Sequence, residues 1–452
     1  MIENNLYINY ISHLYDALRR AFFSKNIGFS VIRLIFIKYA SDNCLGAFTR
    51  EEMQDYMRIQ RIFASRDVEA GPDSLVPILD MLDRHYQLPN LMHNSINEYA
   101  KELFGLDDSW VKKNTSDKNF AEIMSIISSM DLTDDLDTHE NGMELALNLI
   151  DNLQYHGENA RLASPFYSKR ELGAIANKIL NVNDEDVFLD FCSGIGTTTI
   201  SAVGSKKCKI INRDINEECL SVAAMLYMMC GYEGFEIGVQ DQFPSEIVFS
   251  EYNGQEKDIA DKIFVEAPLG VKIKEHPLRD SSLISLGAAA TLLKENGTAV
   301  VTVPASALFT QFGMARKFRQ TLLESGMIQC VVALPFTYTR TSIPMFLVIL
   351  SKKQRDAVLF VNFASFATKS AKFKGGNSLS DANLDTLLRI INNNEEVNGV
   401  SRFASFDEIQ EKEFDITPMS YVTEIVKTED ITLDEIDAKL IELYKKLSNS
   451  ES

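Results

Sequence analysis

The sequence has 452 residues, with 64 Asp and Glu against 45 Lys and Arg for a net charge of −19, and at ~100–200 residues per domain that length suggests two to four domains. Its composition (45% hydrophobic, 24% charged, 10% aromatic) is that of a folded protein, while apolar runs such as 346–350 fall far short of the ~18 residues that span a bilayer. Met1-Ile2-Glu3-Asn4-Asn5 carries no basic stretch of a secretory signal, so membrane and secreted classes are excluded, a cytoplasmic location is expected, and the acidic balance argues against gripping nucleic acid without a local basic face or a basic partner.

Residues 1 to about 150 read as helical. Leu14, Leu18 and Phe22 recur at i, i+4 and i+8, and Val31, Ile35 and Tyr39 repeat that spacing. This end is mildly positive, with six basic and three acidic residues in the first 50. From about residue 160 strands and helices alternate. Val187-Phe188-Leu189-Asp190-Phe191 runs into a Gly-containing turn, and residues 197–203 then read as a helix. Lys209-Ile210-Ile211-Asn212-Arg213-Asp214 is a second strand, followed by a helix through Leu220, Ala224 and Tyr227. Further strands are expected at 235–239, 263–265, 298–303, 331–334 and 345–350. This alternation predicts an α/β, doubly wound sheet whose ligands sit at the strand carboxyl ends.

From about Thr432 the chain reads as one helix, with Leu433, Ile436, Leu440, Leu443 and Leu447 forming an a/d seam. So short a seam needs a surface to pack on, either a partner's or its own domain's. From Ser401 onward there are 13 acidic and six basic residues. The six cysteines form no C-x-x-C pair and do not cluster with His at zinc-ligand spacing, so they read as reduced core thiols, and no metal site is expected.

The chemistry gathers at Asp190-Phe191-Cys192-Ser193-Gly194-Ile195-Gly196. The two glycines let a ligand approach the turn closely. Two later acids stand where a nucleoside needs them. Asp214 ends the next strand, where a carboxylate can accept both ribose hydroxyls, and Asp241 follows the third, where one can accept from an adenine amino group. The turn lacks G-x-G-x-x-G and no Walker Lys follows, so S-adenosyl-L-methionine suits these residues better than a dinucleotide or a phosphate.

These motifs resemble those of the modification (methyltransferase) subunits of type I restriction–modification systems, which are N6-adenine DNA methyltransferases. Leu34-Ile35-Phe36-Ile37-Lys38-Tyr39 is similar to the family's N-terminal helical signature. Phe166-Tyr167-Ser168-Lys169 stands where that family lines the methyl donor, and residues 190–196 occupy its D-P-A-x-G-x-G position. Residues 297–304, Leu308-Phe309, Leu334-Pro335, 341–344 and 414–422 follow at the expected intervals. The resemblance covers nearly the whole chain. It implies a Rossmann-like class I methyltransferase fold, with an N-terminal helical domain over 1–155, a catalytic domain over 156–425 and a C-terminal interaction helix over 426–452. The cofactor-binding residues it implies are Phe166, Tyr167, Ser168, Lys169, Asp190, Gly194, Ile195, Gly196, Asp214 and Asp241. The partners it implies are DNA within a complex, a DNA-specificity subunit, a second methyltransferase subunit and a restriction translocase.

The departure from the family lies at its catalytic loop, D-x-x-x-x-N-P-P-F/Y-G. Here Asp261 and Gly270 keep the frame, but Glu266 takes the Asn position, Ala267 the first Pro and Leu269 the aromatic, leaving Pro268 in place. In the family, the Asn oxygen and the first Pro carbonyl accept the adenine N6 hydrogens as the nitrogen becomes nucleophilic, and the ring stacks on the flipped base. Glu266 and the Ala267 carbonyl can still accept, but Leu269 offers no ring face, a loss of ~1–3 kcal/mol of stacking. Phe264 or Phe336 is the available substitute. The expected function is therefore a modification-subunit homologue with impaired or lost adenine-N6 methylation. An active but divergent adenine methyltransferase, or one acting on another acceptor, are the alternatives. Lys369, Lys372 and Lys374 beside Gly375-Gly376 read as a solvated surface loop in preference to a DNA-phosphate contact, whereas Tyr338, Arg340 and Thr341 before Ile343-Pro344 read equally as loop structure or, by the resemblance, as an approach to the substrate base.

Overall fold

The structure is a computed structural model that describes residues 4–21, 27–47, 49–65, 71–88, 117–159, 170–239, 257–274, 276–337, 343–366, 368–369 and 377–423. Among these, the first part of the chain is helical: α1 (Asn4–Ala21), α2 (Ile27–Asn43), α3 (Arg50–Ser65), α4 (Gly71–His85), α5 (Asp117–Ser128) and α6 (Glu140–Asn159). The i, i+4 pattern expected a single apolar stripe on α2. Instead Phe29 through Ser41 are all buried, because neighbouring helices cover it on one side and the α/β region on the other. Arg33 reaches across to Glu218 at 3.1 Å, and the Tyr39 hydroxyl donates to Asp134 at 2.7 Å.

After α7 (Arg170–Leu180) the chain alternates as expected: β1 (Val187–Phe191), α8 (Thr197–Val203), β2 (Lys209–Asp214), α9 (Glu217–Met229), β3 (Glu236–Val239) and β4 (Ala260–Glu266). Then come α10 (Ser281–Leu292), β5 (Leu293–Pro304), α11 (Ala305–Phe309), α12 (Ala315–Glu324), β6 (Ile328–Thr337) and β7 (Pro344–Leu350). Beyond these lie β8 (Ala357–Asn362), the two-residue strands β9 (Thr368–Lys369) and β10 (Asn377–Ser378), α13 (Asp381–Asn393), β11 (Ser401–Ser405) and α14 (Phe406–Glu411). The nine-stranded sheet has the order β11-β8-β6-β7-β5-β4-β1-β2-β3. β1 to β5 pair in parallel, whereas β7 runs antiparallel to both β5 and β6. The sheet is therefore doubly wound, and its order reverses at β1, where β4 lies on one side and β2 on the other.

The period-2 pleat sorts side chains onto two core layers. Along β7, Met345, Leu347 and Ile349 join one layer, and Phe346, Val348 and Leu350 the other. The first layer also takes Phe188, Ile210, Phe264 and Val300 together with the N-terminal helices and α9. The second takes Leu189, Ile263 and Val301 with α10, α12 and the segment around Phe414 and Tyr421. No helix among the described residues is long and apolar enough to cross a membrane. The six cysteines are free, and Cys208, Cys219, Cys230 and Cys330 are buried. The predicted C-terminal helix, Lys372, Lys374, Tyr338, Arg340 and Thr341 lie outside the described residues.

Candidate functional site

The pleat parity that sorts the core also places the acids. Asp190, Asp214 and Glu266 share parity with Phe188, Ile210 and Phe264, so all three lie on the N-terminal-helix face, at the carboxyl ends of the adjacent strands β1, β2 and β4. The crevice outside these ends, where the strand order reverses, is where open α/β sheets bind ligands.

Between β1 and α8 the chain turns through three left-handed residues, Cys192 (φ 69°), Gly194 (φ 54°) and Gly196 (φ 76°). The Arg213 carbonyl pins the turn by accepting from the Cys192 and Ser193 N–H groups at 2.8 and 3.2 Å. Asp214 holds it from the side: one oxygen accepts the Gly194 N–H at 2.8 Å and the other the Asn216 N–H at 2.9 Å. Gly196 has no room for a side chain, because a Cβ there would stand 2.1 Å from the Tyr227 hydroxyl oxygen. That tyrosine is fully buried and receives the Asn212 amide, so it does not yield readily. Ile195 is 1% exposed and packs into the core, leaving only its backbone to face a ligand.

Asp190 is the most constrained acid. One oxygen accepts from the Thr199 hydroxyl at 2.8 Å, and the other is buried with no hydrogen-bond partner among the described residues. Burial pushes its carboxyl up to about 7; the Thr199 hydrogen bond opposes this, while the nearby Asp214 and Glu266 charges add to it. The buried hydroxyls of Ser193, Thr197 and Thr198 are likewise unpartnered there. Leaving such groups unpaired costs ~1–3 kcal/mol each, so the turn is lined with polar atoms that a bound polar molecule would satisfy. Burial drives the neighbouring Cys192 thiol well above its ordinary value, which rules it out as a neutral-pH nucleophile.

Glu266 ends β4, half-buried and paired in register with Thr302. Ala267 is buried, and Pro268 is exposed with its carbonyl held by the Ser281 hydroxyl at 2.9 Å. Leu269 packs against the first core layer. Phe264 is 1% exposed, deep in that layer opposite Asp190, so it cannot supply the missing ring. The side chain of Phe336 is outside the described residues. Asp261 keeps the loop's frame for structural reasons at the other end of β4: it accepts the Val187 N–H at 2.9 Å and pairs with Lys294 at 2.7 Å.

The structure thus brings Asp190, Gly194, Ile195, Gly196, Asp214 and Glu266 together, with Pro268 on the adjoining loop. Phe166, Tyr167, Ser168, Lys169 and Asp241 lie outside the described residues. Sequence reasoning missed Ser193 and the run Thr197-Thr198-Thr199. The signal was available, since three β-branched residues are a poor way to start a helix on propensity alone. No group of three or more His, Cys, Asp or Glu that could hold a metal occurs among the described residues.

Residues 153–430 match the N-6 DNA methylase family. The chain is 21% identical over 325 residues to the type I restriction enzyme MjaVIII methylase subunit of Methanocaldococcus jannaschii, covering 65% of this chain and 56% of that protein. It is 25% identical over 156 residues to the MjaVII methylase subunit of the same organism, covering 33% of this chain and 26% of that protein. The chain therefore spans about half or less of the curated relatives it matches. The crystal structure of a type I restriction-modification methyltransferase subunit from Streptococcus thermophilus superposes with a TM-score of 0.69 at 20% identity, covering 93% of this chain and all of that one.

Proposed function

As a chain that belongs to the N-6 DNA methylase family, this protein, we propose, binds S-adenosylmethionine at the β1 turn and acts as a type I modification-subunit-like component of a DNA restriction–modification or defence complex, with adenine-N6 methylation impaired or lost. The observation that carries the reading is the acid cluster at the switch point, joined to an altered loop. The proposed division is 1–155 helical, 156–425 methyltransferase-like and 426–452 for interaction, with DNA, a specificity subunit, a second methyltransferase subunit and a restriction translocase as partners.

The residues fit the cofactor on three counts. The orphaned Asp190 oxygen and the Ser193, Thr197 and Thr198 hydroxyls offer buried polar atoms without partners. Gly194 and Gly196 carry the turn through left-handed backbone with no side chain at either position. Three carboxyl groups favour a cation and the hydrogen-bond donors of a ribose. When bound, adenosylmethionine supplies an electrophilic methyl group on a positively charged sulfur. Asp214, already oriented by two backbone N–H groups, keeps lone pairs for hydroxyl donors. Phe166, Tyr167, Ser168, Lys169 and Asp241 are assigned to the same pocket by likeness to the family.

On the acceptor side, Glu266 takes the place of a neutral amide. A carboxylate beside Asp190 and Asp214 raises the negative charge of the crevice and is costly to desolvate against a base. It still accepts N–H hydrogen bonds, and the frame from Asp261 to Gly270 is kept, which favours an active but divergent enzyme as the second reading. Against that reading, Leu269 packs inward and Phe264 is enclosed, so neither offers a ring to stack on.

One experiment separates the readings. Adenosylmethionine binding is measured by calorimetry, then methyl transfer to DNA in the presence of a specificity subunit. Both are done for the native chain and for Glu266→Asn, Ala267→Pro, Leu269→Phe combined. The expected result is binding in both chains and turnover only in the restored one. Robust N6-methyladenine formation by the native chain selects the second reading, and absence of cofactor binding removes both.

A further inference from the structure

A second concavity opens at the same edge of the sheet but on the opposite layer. It is a cleft of about 660 Å³ walled by residues that follow the 266–270 loop and by residues that follow β5, a size typical of ligand sites. Leu283, Ala307 and Ala315 along it belong to the second core layer, not to the one that holds Leu269. Its rim is basic. Lys272, Lys274 and Arg279 line it, and all three are exposed. Lys272 pairs with Asp280, which also lines the cleft and caps α10. Lys274 and Arg279 have no ion-pair partner among the described residues. Between 305 and 323 the chain adds the exposed Arg316 and Lys317 and no acid, in a protein whose net charge is −19.

The cleft also presents Phe312, 87% exposed. A single exposed apolar side chain needs no explanation, but this one stands on a turn that is fastened from behind. Arg319, with no exposed surface, donates to the carbonyls of Ala307 at 3.3 Å, Thr310 at 2.8 Å and Phe414 at 2.9 Å. The Gln311 amide reaches the Glu413 carbonyl at 3.2 Å. A held ring face beside unneutralised cations is the combination that binds single-stranded nucleic acid: cations track the phosphates and the ring stacks on a base. The cleft is mechanically continuous with the acceptor loop, since Lys272 lies two residues beyond Gly270 and Ser281 holds the Pro268 carbonyl.

We infer that this cleft seats an unpaired stretch of nucleic acid next to the acceptor base, with Lys274, Arg279 and Lys272 on its phosphates and Phe312 stacked on a neighbouring base. The inference deepens the reading that the 266–270 loop faces a nucleic-acid acceptor. The Phe312 ring serves a base beside the acceptor and does not take over the stacking on the acceptor itself that Leu269 lacks. An acidic protein segment would satisfy the cations but leave the ring without a partner, so a nucleic-acid strand is the better occupant.

The test is fluorescence anisotropy of a short labelled single-stranded oligonucleotide with the full chain at several salt concentrations, alongside adenosylmethionine calorimetry and melting temperatures on the same samples. Lys274→Gln with Arg279→Gln is expected to weaken oligonucleotide binding about tenfold and to lower the log–log salt slope by about 1.4, at ~0.7 per phosphate contact. Phe312→Ala is expected to weaken it by about tenfold without changing the slope, and Phe312→Trp to retain it. Melting temperature and adenosylmethionine affinity should stay at the native values. The inference is overturned if these variants bind as the native chain does, if the native chain binds no oligonucleotide at low salt, or if polyglutamate competes more strongly than the oligonucleotide. Loss of adenosylmethionine binding with the oligonucleotide profile intact removes the cofactor reading and leaves the cleft assignment standing.

Discussion

One edge of the sheet carries two regions of opposite sign. On the N-terminal-helix face, Asp190, Asp214 and Glu266 stand on strand ends, and Asp190 is 2% exposed. On the other face, Lys272, Lys274 and Arg279 stand exposed on connecting segments. The 266–270 loop runs from one to the other. The difference lies in mechanism as much as in charge. Desolvated groups fixed by the backbone interact strongly and little affected by salt, whereas exposed cations act through a field that salt screens within ~8–10 Å. A cation and a polyanion that must meet at one place need such a division, and a net charge of −19 conceals it.

Each region has its own buried anchor, Tyr227 for the turn and Arg319 for the cleft, so the two can be damaged separately. The largest effect is expected from Arg319→Met. It leaves the carbonyls of Ala307, Thr310 and Phe414 without their donor, and at ~1–3 kcal/mol per unsatisfied group the loss should reach about 3 kcal/mol or more in chemical denaturation. Oligonucleotide binding should fall with it while adenosylmethionine affinity of the folded fraction holds. Equal damage to both would mean that the turn and the cleft do not have separate anchors.

Gly196→Ala attacks the other side. The left-handed backbone at φ 76° costs ~1–2 kcal/mol, and the clash with Tyr227 adds ~1–3 kcal/mol of overpacking. A denaturation loss of about 2–5 kcal/mol is expected, with cofactor binding impaired and oligonucleotide binding spared. Tyr227→Phe in the same chain should recover part of the clash term, which a purely conformational cost would not allow.

Asp190 sharpens the contrast through pH. Its carboxyl, pushed to about 7 from an ordinary 3.8, stays protonated in the native state where the unfolded chain has ionised. The native state therefore holds more protons between about pH 4 and 7, and stability should decline as pH rises through that window. Thermal unfolding should show this decline in the native chain and less of it in Asp190→Asn. A cation bound beside the carboxyl favours its ionised form, so proton release on adenosylmethionine binding is expected, measurable by calorimetry in buffers of different ionisation heat. The smallest effect belongs to Lys272→Ala. The pair with Asp280 is solvent-exposed on the lysine side, and its loss should change unfolding by less than ~1 kcal/mol while reducing oligonucleotide affinity at low salt.

The parallel strands were legible because each is a short apolar run bounded by turn residues, and Val187–Phe191 and Lys209–Asp214 sit where the pattern puts them. β8 and β11 were not foreseen. Ser401–Ser405 has little apolar character of its own and becomes a strand by pairing antiparallel with β8. α10 was missed because nearly every residue from Ser281 to Leu292 is buried, which erases helical periodicity. Asp190 and Asp214 could be read from motif and position. That Glu266 joins them depends on β4 lying beside β1, a fact of strand order and not of spacing. Phe264 looked available for stacking until the pleat placed it in the core. The basic cleft was invisible for a similar reason, since Lys274 and Phe312 are brought together only by two neighbouring strands ending at one edge.

The first core layer runs without a break from Ile11 to Ile390. Within it α9, buried from Cys219 to Met229, is wedged between the N-terminal helices and the sheet. Apolar side chains from both sides of the proposed boundary near residue 155 thus pack in one layer. Removing the first part would strip water-excluding cover from α9 in the second. Substitutions at Leu14 or Ile32, far from the turn in sequence, should act on it by lowering the population of the native ensemble, leaving the chemistry of each folded molecule unchanged.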